Sequence, residues 1–522
     1  MTRLASFDNW LRKPLALCIL LGVYIILSFV CLQYRSTHSD ENDYYSYTVR
    51  CLQGKPERTK IFDDSKTMLL IPSAIPRIVT QLLHPQLRKT DGGHQDILNG
   101  RYAMILFALS MLVLLWLFLK KINLNYGMLI FPLAIIDPFF LTYSTVLTSD
   151  MAVGMCAIAF LYFAFQFYTS RKLSHLLLMS VAIGLGIVGK FSFAPVVIGF
   201  GIGSILLFYK KLNNRTNLLF LLKSAAISVV VILLVINIAY PTDRRFIVLK
   251  NESFQSERFN ALSKSFLGSV PVPLPFNMIR AADMLSYHGQ LNVSDDEKTF
   301  IGATWLFRSF HQPPVWYYYW FILLIITPIF LLILFVIGTG TAFARARENK
   351  FIFLATVVAL FYCLYGGLFN RFQIGARHLL SIYPLLFITG GFASHAMGNY
   401  FSKKNFQLFF GIGSLWMALS VLYFFPHEMA YSNEFIPDKK IVHWYVNEGV
   451  IDYGQLLDFE EDFRAKHPEY KKPIHDSTPN AKYAVSSGAL IYFAYRDKDP
   501  VAIKLLKRKP DRVERFVLLI FE

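Results

Sequence analysis

Three carboxylates, Asp40, Glu41 and Asp43, stand in "CLQYRSTHSDENDYYSY", a few residues after a long apolar run stops. A carboxylate at a membrane surface escapes the full cost of the bilayer centre. Nearby lipid and protein still lower the local dielectric enough to tune it, which suits a general base. The plainer use of the same residues is a solvated cluster that keeps the apolar run from sliding inward. Position alone leaves both readings open.

Three more stretches carry charge where charge is costly. In "DPFFLTYSTVLTSDMAVG", Asp137 and Asp150 interrupt apolar sequence, and an intramembrane ionisable residue is a functional candidate by default. Ser149 and Asp150 also stand just before "MAVGMCAIAFLYF", so an N-cap is the alternative; Asp137, followed by Pro138, reads as a kink residue. In "GLGIVGKFSFAP", Lys190 ends an apolar run against Gly189. It either snorkels to the interface or binds a lipid phosphate as a point charge. In "NRFQIGARHLLSIYP", Arg371, Arg377 and His378 form either an anion clamp or ion pairs with Asp40, Glu41 or Asp150. Carboxylates and cations converging on one face suggest chemistry on a lipid-borne phosphate. A transporter would instead place its ionisable groups near the midplane, with broken helices and an internal repeat, and the sequence shows no convincing repeat.

The elements that must position these residues follow from composition. The 522 residues are 54% hydrophobic, 16% aromatic and only 17% charged, against about 25% charged in soluble proteins. A span needs roughly 20 mostly apolar residues. Eleven candidates appear, near residues 14–33, 102–119, 126–146, 151–168, 174–189, 194–209, 217–239, 317–340, 351–369, 379–397 and 406–425. Continuous runs of this kind read as helices and not as a barrel. The first is too long for the apolar region of a cleaved leader and lacks a small-x-small site, so it reads as a span.

Lys and Arg of the short connections, from Arg3, Arg12 and Lys13 through Lys120, Lys121, Arg171, Lys172, Lys210, Lys211, Arg215, Arg345, Arg347 and Lys350 to Lys403 and Lys404, all fall on the side of the N-terminus. The positive-inside rule makes that side cytoplasmic. Segments 34–100, 240–316 and 426–522 are then expected outside. Most of the net charge of +17 is accounted for by these topology signals, so no nucleic-acid partner is inferred. Cys31 and Cys51, near the outer face, could form a disulfide that no framework of spacings supports; no Cys or His spacing announces structural zinc. The sequons at Asn251 and Asn292 are the kind of triplet that arises by chance.

Within 34–100, "SKTMLLIPSAIPRIVTQLL" has an apolar face at helical spacing, broken by Pro72 and Pro76, and is expected along the membrane surface. Within 240–316, "SVPVPLPFN" favours extended chain, and "HQPPVWYYYWF" is an aromatic belt before the next span. In 426–522, "DFEEDFRAKHPEYKKP" reads as a solvated helix ending at Pro468. "KYAVSSGALIYFAY" and "RFVLLIFE" read as strands or as a strand and a helix. The expected architecture is an all-α polytopic transmembrane domain, 1–425, with a small α/β extracytoplasmic domain, 426–522.

The ordered series of motifs resembles the GT-C membrane glycosyltransferases, above all the family 39 branch that includes protein O-mannosyltransferases and related bacterial sugar transferases. "DENDYYSYTVRCLQG" resembles the acidic motif of the first outer loop, "GRYAMILFAL" the Arg-led second span, and "DPFFLTYSTVLTSDMAV" the second acidic motif. "GLGIVGKFSFAP" is similar to the turn that ends in Lys, and "IGARHLLSIYPLLFITGG" to an Arg-His-Leu-Leu-x-x-Tyr-Pro signature. "PVPLPFNMI", "WYYYWFILLIITPIFLLIL", "FPHEMAYSNEF", "IDYGQLL" and "KYAVSSGAL" extend the likeness along the chain. Departures include Ile326 where a Lys often precedes the Thr-Pro pair, Ser381 where a Pro is usual, and "FDDSKTML" in place of a His-Pro-Pro-like element.

The resemblance implies transfer of a sugar from a polyprenyl-phosphate carrier to a hydroxyl of a protein, lipid or glycan on the outer side of a bacterial inner membrane. The N-terminus would then be cytoplasmic and the C-terminus periplasmic. Asp40 would be the base, Glu41 would support the loop or the sugar, and Arg101, Lys190, Arg377 and His378 would face the departing phosphate. Asp150 would organise that cluster or contact the sugar. No cofactor is required; a divalent cation on Asp40 and Asp150 is the variant that related oligosaccharyl transferases suggest. A transporter or flippase of lipid-linked sugars is the alternative.

Overall fold

The computed structural model describes residues 3–55, 67–84, 94–212, 214–290, 304–447, 449–473 and 481–522. The Asn292 sequon and residues 62–66 of "FDDSKTML" lie outside them. The described chain is an all-α polytopic membrane protein with a small C-terminal α/β domain. Among the described residues seven helices are long and apolar enough to cross a bilayer: Pro14–Gln33, Gln95–Ile122, Ser149–Ser170, Phe191–Lys210, Arg215–Ala239, Lys350–Phe369 and Lys403–Phe424. Leu173–Gly189 and Ile329–Ala344 are shorter apolar helices, and Tyr383–Tyr400 runs buried among the others.

Two of the expected spans are not continuous. The run 126–146 divides into a short turn, a helix Ile130–Ile135 and a helix Pro138–Tyr143. The run 317–340 divides into Tyr318–Ile326 and Ile329–Ala344. Both breaks fall at an X-Pro step, where proline removes an N–H and pushes the preceding residue out of the helical region. Asp137 and Thr327 are accordingly extended, with ψ of 125° and 130°. Asp137 Oδ1 accepts the Phe140 N–H at 2.9 Å, so it caps the helix that the break begins. The hydroxyl of Tyr383 donates to Asp137 Oδ2 at 3.1 Å and lies 3.3 Å from Thr327 Oγ1, joining the two breaks.

Carbonyls freed by the second break are met from the C-terminal region. Asn433 gives its backbone N–H to the Ile325 carbonyl at 2.9 Å and its side-chain amide to the Leu324 and Thr327 carbonyls at 2.5 and 2.7 Å. Buried backbone acceptors need such partners, since water does not reach them.

At one end of the bundle the short connections pack together, as where Arg12 reaches the Asn123 side chain and the Leu124 carbonyl. At the other end the long segments meet. The first supplies a helix Ser39–Leu52, a 3-10 turn Met68–Ala74 around Pro72, and a helix Ile75–Leu83 with an exposed apolar face of Ile75, Val79, Leu82 and Leu83. The second supplies strands Ile247–Val248 and Pro271–Val272, helices Glu257–Lys264 and Phe276–His288, and a hairpin Thr304–Leu306 with Ser309–His311.

The C-terminal domain has a four-stranded sheet in the order Tyr470–Lys471, Lys482–Ser486, Leu518–Phe521, Arg512–Glu514, the first pair parallel and the others antiparallel. Helices Leu457–Lys466, Ser487–Tyr495 and Pro500–Lys507 accompany it. Its core of Val485, Leu490, Ile491, Leu505 and Phe521 includes Trp305 of the second long segment. The Trp305 indole N–H also donates to the His443 carbonyl at 2.7 Å. Cys31 and Cys51 are buried and are not joined in a disulfide; Cys31 donates instead to Glu428 Oε2 at 3.0 Å.

Candidate active site

A cavity of about 1110 Å³ opens where the long segments meet the helix ends. Asp40, Asp43 and Tyr44 line one side, residues 187–192 another, and Arg371, Arg377 and His378 a third. The helix Phe276–His288 contributes Met278, Leu285 and His288, and the C-terminal domain contributes Gly449, Asp452 and Tyr453. Tyr319, Tyr365, Phe369, Phe191 and Pro195 make an apolar flank on the membrane helices.

Asp40 sits in the first turn of Ser39–Leu52, where the aligned peptide N–H groups favour a carboxylate. Its neighbour Glu41 turns away from the cavity and closes the helix start. Glu41 Oε2 accepts the His38 N–H at 3.3 Å, and Oε1 accepts the Leu147 N–H at 2.8 Å. Arg101 grips both oxygens, at 2.8 and 2.6 Å, and donates onward to the Arg35 and Ser36 carbonyls. Both side chains are fully buried. Burial alone would raise the Glu41 carboxyl, but the Arg101 guanidinium more than offsets it and holds it below the usual range. Arg101, expected to face the phosphate, is off the cavity wall and instead fastens the loop that carries Asp40.

Arg377 Nη1 lies 3.0 Å from Asp40 Oδ2. The Tyr453 hydroxyl donates to the same oxygen at 2.5 Å and accepts from Arg377, and the His38 ring packs against Tyr453, tilted by 54°, at 4.0 Å between centroids. Burial would lower the Arg377 pKa, but Tyr453 and Asp40 overcome it and keep the guanidinium charged. Burial keeps Tyr453 protonated well above its ordinary range and pushes His38 down to about 4, so that ring is neutral although it approaches Glu41 to 3.7 Å.

Lys190 caps the C-terminus of Leu173–Gly189 with extended backbone and points its ammonium at Asp150 Oδ1, 2.6 Å away. Asp150 is in the first turn of Ser149–Ser170, whose cap position is held by Thr148; the carboxylate therefore does not act as the N-cap. Its Oδ2 is buried with no hydrogen-bond partner in the described structure. The turn carrying His378 is pressed against this helix, where a Cβ on Gly154 would come within 2.7 Å of the Leu380 carbonyl. Burial, then the charges of Lys190 and Arg377, hold His378 well below its ordinary pKa. It is a neutral imidazole, not the cation expected of a phosphate clamp, and its buried Nδ1 has no hydrogen-bond partner.

The structure thus brings Asp40, Lys190, Arg377 and His378 onto one cavity, with Asp150 behind Lys190, and sets Glu41 and Arg101 apart as a buried pair. Arg371 sits farther along the wall, donating to the Gly289 carbonyl at 2.7 Å. Asp40 and Asp150 are each already engaged by a cation. Among the described residues no group of three or more His, Cys, Asp or Glu is gathered closely enough to hold a metal ion. Sequence reasoning missed Tyr453. The turn signal of "DYG", with Gly454 at φ +79°, is what could have marked its loop.

Among curated proteins, none matches the chain. Two solved structures are similar to it. ArnT from Cupriavidus metallidurans, bound to undecaprenyl phosphate, is 13% identical, with 79% of this chain and 65% of that one covered and a TM-score of 0.46. The Archaeoglobus fulgidus oligosaccharyltransferase in its apo form is 14% identical, with 77% and 54% covered and a TM-score of 0.46. The chain spans under two thirds of the length of either. Residues 93–238 match the family model described as dolichyl-phosphate-mannose-protein mannosyltransferase.

Proposed function

We propose that the protein moves a sugar from a polyprenyl-phosphate donor to an acceptor hydroxyl, with Asp40 as general base. The observation that carries this reading is the shared wall: one cavity presents the Asp40 carboxylate, the charged groups of Lys190 and Arg377, and an apolar flank suited to a polyprenyl chain. ArnT was solved with a carrier of this class. In the reaction the acceptor oxygen bonds to the anomeric carbon, its proton passes to Asp40, and the bond from that carbon to the phosphate oxygen breaks. The bonding pair leaves with the phosphate, where Lys190 and Arg377 offset the added charge without solvent reorganisation. Neutral His378 offers a ring N–H to the same oxygen. No step is routed through a metal.

The positions of Lys and Arg in the short connections support a cavity that faces outward with the N-terminus cytoplasmic, and the resemblance of the C-terminal tail to bacterial members supports a bacterial inner membrane. The acceptor class, protein, lipid or glycan, follows from assay and not from this wall. A transporter would use the broken helices, but Asp137 and Thr327 lie off the cavity.

Purified protein given a panel of polyprenyl-phosphate sugars should consume one of them, and Asp40→Asn should lower transfer by about 10² or more while preserving the fold. Labelled lipid crossing vesicles unconsumed, or full activity in the variant, would refute the assignment.

A further inference from the structure

We propose that Tyr453, supplied by the C-terminal domain, is a positioning residue for Asp40, so that this domain completes the reacting end of the cavity. The inference rests on Asp40 being the base. The Tyr453 hydroxyl and the Arg377 guanidinium both bind Asp40 Oδ2. Two fixed donors on one oxygen settle the rotation of the carboxylate, and a base must be aimed before it can take a proton in flight.

The phenol is itself held by a braced loop. The Tyr453 N–H donates to the Gln455 side chain at 2.7 Å, and the Gln455 carbonyl accepts the Ser36 N–H at 3.0 Å. Asp452 accepts the Gly454 N–H at 3.0 Å and the Gly488 N–H at 2.6 Å, tying the loop to the start of Ser487–Tyr495. On its other side the Gly449 carbonyl takes the Tyr143 hydroxyl at 3.0 Å and the Ala376 N–H at 3.2 Å. Gly375 is required there, since it has φ +83° and a Cβ would meet that carbonyl at 2.7 Å. The loop therefore touches the Arg377 turn and the Asp40 loop together. Its job as seen in the contacts is to set one against the other.

A donor on the ionised carboxylate stabilises that form, so its loss raises the pKa of the acid. Tyr453→Phe keeps the ring and its tilted contact with His38 and removes only the hydroxyl. In the full-length protein its kcat should fall about tenfold or more, with the donor KM moved far less. The acid limb of kcat/KM should move upward by about half to one pH unit. As a readout free of activity, the thermal midpoint should differ between wild type and Tyr453→Phe but not when the same change is made in an Asp40→Ala background, where no side-chain oxygen is left to accept from the phenol. Unchanged kcat and an unmoved acid limb would overturn the proposal, as would an equal thermal effect in both backgrounds. A wild-type protein that consumes no polyprenyl-phosphate sugar would instead overturn the function reading and with it the catalytic part, while the thermal comparison still decides whether the phenol holds the carboxylate.

Discussion

Lys190 and Asp150 meet at 2.6 Å across the ends of two neighbouring helices, with the carboxylate buried behind the ammonium and the ammonium on the cavity wall. The arrangement answers why a lysine stands at this end of a span. Its charge is held by a fixed counter-ion and presented to the cavity, where a second anion can share it.

Lys190→Met should raise the donor KM and lower kcat together, because the proposed mechanism sets the ammonium against the phosphate in the ground state and more strongly as charge develops. Steady-state kinetics with donor varied at fixed acceptor checks this. A variant with unchanged constants would remove Lys190 from the site.

Arg377→Ala should separate activity from stability. Asp40 is about one third exposed, so its ion pair with Arg377 is worth only about 0–1 kcal/mol. Transfer should nonetheless drop by about 10² or more, and Arg377→Lys should recover little, because an ammonium cannot bind the carboxylate, the phenol and a phosphate in one plane. Thermal midpoints beside rates test the split.

The Glu41 and Arg101 pair should behave in the opposite way. Removing one member strands a buried charge at a cost of about 3–5 kcal/mol, and replacing both by apolar residues of similar size should recover much of it. The folded Glu41 carboxyl is depressed, so its contribution is present above the ordinary carboxylate range and lost as pH falls through the folded value. The thermal midpoint of the wild type should fall in that acid window, and Glu41→Gln should show less of this dependence.

His378 and His38 should leave no histidine limb in the activity profile. His378 is held well below its ordinary pKa and His38 at about 4, so both stay neutral from pH 6 to 8 in the free enzyme. His378→Gln should lower kcat without shifting the acid limb of kcat/KM. A limb near pH 6.5 that this substitution abolishes would contradict the buried, neutral imidazole.

Tyr383→Phe should destabilise the bundle by about 1–3 kcal/mol, since the hydroxyl joins Asp137 to Thr327 at two buried helix breaks. Rates per folded molecule should change little because none of the three lines the cavity.

That Asp40, Lys190 and Arg377 stand out from their surroundings was legible because a charge against an apolar background is costly and therefore visible; the structure places the three on one cavity. The breaks at Pro138 and Pro328 were written in the Asp-Pro and Thr-Pro steps, yet the length of the surrounding runs suggested unbroken spans. Arg101 was misjudged for a physical reason: a buried guanidinium paired with a carboxylate and one facing a phosphate look alike until the partner is seen. For Tyr453 the sequence offered only the turn around Gly454, since a tyrosine in a polar tail becomes informative only when its loop is folded against a distant helix. His378 was read as a cation because its neighbours' charges, which suppress its protonation, add up only in three dimensions.

Trp305 lies in a segment bracketed by membrane helices but finishes the core of the C-terminal domain, while Asn433 of that region caps a broken helix of the bundle. The two parts are stitched in both directions. Cutting the chain after residue 425 would bare an indole on one fragment and orphan three carbonyls inside it, so the ends of this protein must be assembled together or not at all.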